Sequence, residues 1–140
     1  MPVADTELIF ALNPKDPKHE NTLKKIKELP SLVVPDTAIL EFQVVLRARG
    51  RTPSQVRTAL LALRQILSQH KVKEANTFNT SLLISQCELE EKHGLSYFDS
   101  LLAASALALD KQIISDDQAF DKIPGLKRYR YLTPQNSKLQ

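Results

Sequence analysis

A chain of 140 residues, 42% apolar and 25% charged, can bury one substantial core but not two. Its net charge of +3 is only mildly basic, and its single cysteine, Cys87, excludes an intramolecular disulfide and fits a reducing compartment. No stretch is long and apolar enough to span a bilayer, and Met1-Pro2-Val3-Ala4-Asp5 lacks the apolar run of a secretory leader; a soluble, cytoplasmic protein is expected.

In chain order, Pro2-Val3-Ala4 reads as a short strand ending at Asp5. Asp16-Pro17 has the form of a helix start, a cap residue followed by proline at the first helical position, for a helix through Leu23 and Ile26 toward Leu29 that Pro30 ends. Leu32-Val33-Val34 is a buried strand stopped at Pro35-Asp36, and Asp36 caps a helix that runs to Arg49 and terminates at Gly50. Thr52-Pro53-Ser54-Gln55 is a capping box, after which Val56, Leu60, Leu63 and Leu67 recur at helical spacing. A helix over roughly 80–92 is stopped by Gly94, and Ser96 caps the next. Gln112-Ile113-Ile114 is a strand, and Tyr129-Arg130-Tyr131-Leu132 is expected to be the last. Short apolar strands separated by helices imply an α/β protein, three layers of α/β/α with a central parallel sheet. One domain is expected over residues 1–133, followed by a polar tail over 134–140, without repeats or linkers.

Against that pattern, four acids sit in core-like segments. Asp99 lies within Leu95-Ser96-Tyr97-Phe98-Asp99-Ser100-Leu101-Leu102-Ala103-Ala104, the most apolar helical stretch of the chain. A helix apolar on nearly every side is normally buried, and a buried carboxylate is costly unless paired or bound to a cation. Asp5 closes an apolar strand, Glu41 interrupts an apolar helix, and Asp116-Asp117 follow an apolar strand. In open α/β sheets the ligand crevice lies at the carboxyl ends of the strands, where Asp5, Asp116 and Asp117 all project. Asp99 occupies a first helical turn, where the helix dipole favours a carboxylate. Glu41 lies about 200° around its helix from Gln43 and about 240° from Arg47, so it is off the polar stripe, facing inward among Ala38, Val44 and Val45.

Each acid also has an innocent reading. Asp5 is placed to cap the first helix, Asp99 to complete a capping box with Ser96, Glu41 to pair with an arginine, and Asp117 to serve in a turn. Convergence of all four is the less ordinary arrangement, and it points to one acidic, metal-holding pocket. His19, His70 and His93 lack zinc-type spacing and read as solvated, while Cys87 reads as a helix-packing residue. Gly50, Gly94 and Gly125 are isolated, so no glycine-rich phosphate loop is present and no nucleotide cofactor is expected. Two arginine-rich stretches, Arg47 to Arg64 and Lys127 to Arg130, read as solvated faces or as basic flanks for a polyanion.

Asp5-Thr6 with Leu8-Ile9-Phe10-Ala11-Leu12, Glu41 in its apolar helix, Tyr97-Phe98-Asp99-Ser100-Leu101-Leu102-Ala103-Ala104, and Ser115-Asp116-Asp117-Gln118-Ala119-Phe120 together resemble the PIN domain. More narrowly they resemble the VapC-type ribonuclease toxins of prokaryotic type II toxin–antitoxin pairs, over residues 3–131. The resemblance implies that Asp5, Glu41 and Asp99 hold a divalent metal, Mg²⁺ or Mn²⁺. Asp117 is implied as a fourth acid and Asp116 as sharing its role, with Thr6 and Ser115 positioning the substrate. Glu7 departs from the pattern, standing where the family carries a small polar residue. The implied activity is hydrolysis of RNA phosphodiester bonds by a water that the metal activates for in-line attack. The implied partners are an RNA substrate, a small antitoxin and a second copy of the chain in a homodimer. Two other classes remain open: a non-catalytic or weakly catalytic PIN-fold RNA-binding scaffold, with Glu7 as its support, and a structural subunit binding through the apolar Leu60-Leu61-Ala62-Leu63 region.

Overall fold

The structure, a computed structural model, describes residues 1–130. Strands and helices follow as β1 (Val3–Ala4), α1 (Thr6–Ala11), α2 (His19–Glu28), β2 (Val33–Pro35), α3 (Asp36–Ala48), α4 (Pro53–Gln69), β3 (Lys73–Ala75), α5 (Thr80–His93), α6 (Tyr97–Ala108), β4 (Gln112–Ile114) and β5 (Lys127–Tyr129). A 3₁₀ turn over Gln118–Lys122 separates the last two. The strands form one sheet in the order β3-β2-β1-β4-β5, and every neighbouring pair is parallel. The chain steps outward from β1 to β3, then crosses back to lay β4 on the other side of β1. The strand order therefore reverses between β1 and β4, and in open parallel sheets that reversal opens a crevice at the carboxyl edge.

Burial explains the central order. Val3, Ala4, Val34, Ile113 and Ile114 are all fully buried, as a strand covered by helices on both faces requires. In α6, Leu101, Ala103, Ala104 and Ala106 are as deeply buried, and the alanines let α6 pack closely against α3, α5 and β4. Gly94 stops α5 in a left-handed conformation, φ 66°, the usual helix C-terminal device. The capping box at Thr52 is complete, with the Thr52 hydroxyl accepting from Gln55 N–H and Gln55 Oε1 accepting from Thr52 N–H.

Several boundaries differ from the sequence expectation. The helix expected from Asp16-Pro17 begins at His19, because the Asp16 carboxylate accepts from Lys18 N–H at 2.8 Å and closes a turn instead. Asp36 is not the cap of α3 but its first residue; its carboxylate accepts from Thr77 N–H, Thr77 Oγ1 and Phe78 N–H at 2.7, 2.6 and 3.0 Å. It thus fastens the start of α3 to the loop after β3. The strand β3, Lys73-Glu74-Ala75, carried no apolar signal because it is a short, charged sheet edge. The last strand ends at Tyr129; Tyr131, Leu132 and the expected tail over 134–140 lie outside the described residues. Val44, expected to face inward beside Glu41, is 41% exposed, and Cys87 stands on the exposed side of α5 rather than packing.

Candidate functional site

Asp5 is placed by the β1 ladder. Its N–H donates to the Ile114 carbonyl at 3.2 Å, extending the pairing with β4 by one residue before the chain turns into α1. Its carboxylate caps α1, accepting from Leu8 N–H at 3.1 Å, so the innocent reading of Asp5 holds in full. A cap occupies part of one carboxylate and leaves the rest of its lone pairs to other partners. Ser115, directly after β4 and fully buried, is anchored by its N–H to the Tyr129 carbonyl at 2.9 Å. Its hydroxyl accepts from Asp117 N–H at 3.0 Å and bonds to the Asp5 carboxylate. One side chain thus fixes two acids, and burial keeps it from facing a substrate directly.

Glu41, in the middle of α3, receives the hydroxyl hydrogen bond of Thr6 from the start of α1; that hydroxyl takes the place of the arginine expected as a partner. Asp99 lies in the first turn of α6, its N–H held by the cap Ser96 at 3.2 Å. Asp117 caps the 3₁₀ turn through Ala119 N–H at 2.9 Å. Five carboxylates from these segments, Asp5, Glu7, Glu41, Asp99 and Asp117, line a cavity of about 200 Å³ together with Thr6, Leu102 and Phe120. The cavity lies at the carboxyl edge of the sheet beside the β1/β4 reversal. Asp116, expected to share in metal holding, does not line it and is turned toward Lys18 at 3.7 Å.

The electrostatics follow from depth and crowding. Burial pushes the Asp5 carboxyl up to about 7, Glu7 adding to the rise, while the Ser115 hydroxyl, Leu8 N–H and Lys18 oppose it. Glu41 is raised by burial and by Asp99 and Glu7, against the Thr6 hydrogen bond; Asp99 is raised by burial and by Asp117 and Glu7, against Ser96. Clustered carboxylates in a recess are costly in the ionised form, and such shifts accompany functional sites. Outside the cavity, Arg128 grips Asp121 through two 2.9 Å hydrogen bonds and reaches the Ser115 carbonyl at 3.2 Å. That arginine braces the loop bearing Asp117 and is not a loose basic flank. Among the described residues no arginine lines the cavity.

Glu7, the departure from the family pattern, is a lining residue, and sequence reasoning missed Lys18, which pairs with it at 2.5 Å. The signal for Glu7 was available, since it sits two residues past Asp5 on the same turn; the signal for Lys18 was not, because a turn of unknown path separates it from the sheet. The lining donors are all carboxylate oxygens, which suit a hard divalent cation. Among the described residues no three Asp, Glu, His or Cys side chains close on a single point tightly enough to grip an ion by themselves. A cation held there would have to keep several of its waters, as Mg²⁺ does, in a cavity of about 200 Å³.

Comparison with known proteins agrees with the fold. No curated protein sequence matches the chain. Among solved structures, it is similar to VapBC2 from Rickettsia felis bound to a DNA fragment from their promoter, with TM-score 0.68, 18% identity, and coverage of 92% of this chain and 97% of that one. It is also similar to a toxin-antitoxin complex from Klebsiella pneumoniae, with TM-score 0.64, 16% identity, and coverage of 90% and 95%. A third similarity is to FitAcB from Neisseria gonorrhoeae, with TM-score 0.62, 15% identity, and coverage of 92% and 96%. The PIN domain family model matches residues 3–126, the stretch that carries β1 to β4, the cavity and all five of its acids, and the chain therefore belongs to the PIN domain family.

Proposed function

We propose that the chain is a Mg²⁺- or Mn²⁺-dependent endoribonuclease, the toxin of a VapBC-type pair. The observation that carries this reading is the gathering of Asp5, Glu41, Asp99 and Asp117, from four separate parts of the chain, around one recess. An arrangement that forces repelling carboxylates together at a sheet edge is expensive unless a cation relieves it. When bound, the cation supplies activation of water and neutralises charge on the phosphodiester.

Asp5, Glu41, Asp99 and Asp117 would hold the cation. Thr6 orients Glu41 by its hydroxyl, and Ser115 orients Asp5 and Asp117 together. These two residues position ligands, and substrate contact falls to the cavity mouth, where Asp117 is exposed. Burial of Asp5 and Leu102 at the floor keeps bulk water from that side. Glu7, the feature that favoured a non-catalytic scaffold, is neutralised by Lys18 and does not weigh for that alternative.

The neighbours in toxin–antitoxin complexes support a small antitoxin partner for this chain as well. An apolar groove of about 410 Å³ between α1, α3 and α4, with Phe10, Phe42 and Ile66 at its floor and Arg49 and Arg51 at its rim, suits an apolar partner segment with acidic flanks. A homodimer belongs to the same proposal.

The test is cleavage of a structured RNA pool in Mg²⁺, Mn²⁺ or EDTA, wild type beside Asp99→Asn. Cutting that needs the cation and disappears in the folded variant is the expected result. Cutting that persists in EDTA or in Asp99→Asn overturns the proposal.

A further inference from the structure

Lys18 is a basic side chain that pairs with an acid lining the cavity. Its backbone is fixed twice, its N–H on the Asp16 carboxylate at 2.8 Å and its carbonyl under Thr22 N–H at 2.9 Å. The neighbouring His19 ring adds a contact to the Ala11 carbonyl at 2.9 Å, tying this turn to the end of α1. From that anchor the ammonium comes to 2.5 Å from Glu7 and 3.7 Å from Asp116, bridging the start of α1 and the segment after β4. Only about a quarter of the Lys18 side chain is exposed. Burial works to discharge it, and Glu7, Asp116 and Asp5 outweigh burial, so it stays above its ordinary pKa.

We propose that Lys18 is a positioning residue that sets the charge of the carboxylate cavity, holding Glu7 as an ion-pair partner so that Glu7 does not join the cation's ligands. The inference rests on reading the cavity as a cation site. Glu7 lines that cavity in the first turn of α1, next to Thr6 and two residues after Asp5, and without a counter-charge its carboxylate would turn toward any cation held there. An ammonium in a partly buried position acts on a divalent ion without the screening of bulk water. Lys18 therefore keeps affinity moderate and the ligand set restricted to Asp5, Glu41, Asp99 and Asp117.

The experiment measures Mn²⁺ binding by calorimetry and thermal unfolding in EDTA for wild type, Lys18→Met, Lys18→Arg and the double variant Lys18→Met/Glu7→Gln. Lys18→Met is expected to bind Mn²⁺ about tenfold more tightly, from one positive charge lost at close range. The double variant should return to within about threefold of wild type, since charge is restored by removing one acid with one base, and Lys18→Arg should keep wild-type affinity. In EDTA, Lys18→Met should melt several degrees lower, and Glu7→Gln in that background should recover most of the loss. Unchanged or weaker Mn²⁺ affinity in Lys18→Met overturns the proposal, as does a loss that Glu7→Gln fails to reverse. If wild type binds no Mn²⁺ at all, the cation reading fails, and the role given to Lys18 fails with it; the melting series in EDTA then decides only whether the Lys18–Glu7 pair is coupled.

Discussion

Replacing Asp5 by asparagine should make the metal-free protein more stable, although Asp5 is buried, capped and central. Its carboxyl ionises near 7 in the fold against an ordinary 3.8. Between those values the unfolded chain has released the proton and the folded chain has not. This group therefore contributes most to stability below pH 3.8, and the contribution is lost as pH rises through about 7. At about 1.4 kcal/mol per pKa unit, the full penalty at pH 8 is roughly 4 kcal/mol. Asparagine removes the charge and keeps an oxygen to accept from Leu8 N–H. Water entering the recess recovers part of the wild-type penalty, so a gain of ~2–4 kcal/mol is expected at pH 8 in EDTA. For a domain of this size that is about 6–12 °C in Tm. At pH 4 the two proteins should agree within about 0.5 kcal/mol, because both are then neutral at this position. Urea unfolding followed by circular dichroism at both pH values gives the comparison. Asp5→Ala serves as the control, losing the cap and so about 1 kcal/mol of the gain. A variant less stable than wild type at pH 8, or equally stabilised at both pH values, would refute the reasoning.

Other expectations follow from the same geometry. Thr6→Val keeps the shape of the side chain and removes the hydrogen bond to Glu41; stability at pH 7 should fall by ~1–2 kcal/mol in urea unfolding, with little loss below pH 4, where Glu41 is protonated. Mn²⁺ affinity should rise steeply with pH up to about 7, where Asp5 gives up its proton, and level off above it; calorimetry in buffers of different ionisation enthalpy should detect proton release at pH 6 and little at pH 8.5. Ser115→Ala deletes the hydroxyl that favours ionised Asp5, so the rising limb of that affinity profile should move to higher pH. Thr52→Ala opens the capping box of α4, far from the cavity; it should cost about 1 kcal/mol and leave the profile unmoved.

Much of the central sheet was legible because apolar pairs such as Val33-Val34 and Ile113-Ile114 have no other place to go than between two layers of helices. The strands that escaped or shifted are the edges, β3 and β5, where Lys73-Glu74 and Lys127-Arg128 carry charge suited to solvent. The helix boundaries that moved did so where a side chain had two available partners. Asp16 chose a turn, and Asp36 chose the loop after β3. Neither choice is encoded in local spacing, because each depends on where distant backbone comes to lie. The acids were legible as misfits in apolar segments, and the structure brings four of the five sequence candidates together while Asp116 faces Lys18 outside the cavity lining. Lys18 was not legible, since its approach depends on the path of the turn from Asn13 to Pro17.

The innocent and functional readings of the acids are not competitors, and that explains how the fold tolerates the cavity. Asp5 caps α1, Asp117 caps the 3₁₀ turn, and Asp99 lies in the first turn of α6. Unpaired N–H groups at such starts favour negative charge, by up to about 1 kcal/mol each near a surface. Three of the four candidate ligands therefore stand where the backbone itself offsets part of their repulsion. Glu41 is the exception. It sits in the interior of α3, where no free N–H is available, and the Thr6 hydroxyl brings it a hydrogen bond in place of one. A sequence that places acids at helix starts, and supplies a hydroxyl to the one acid that is not, can keep a charged recess within a stable domain. For that reason Thr6→Val should weaken Glu41 selectively, whereas loss of Ser96 would act through Asp99 and the α6 cap together.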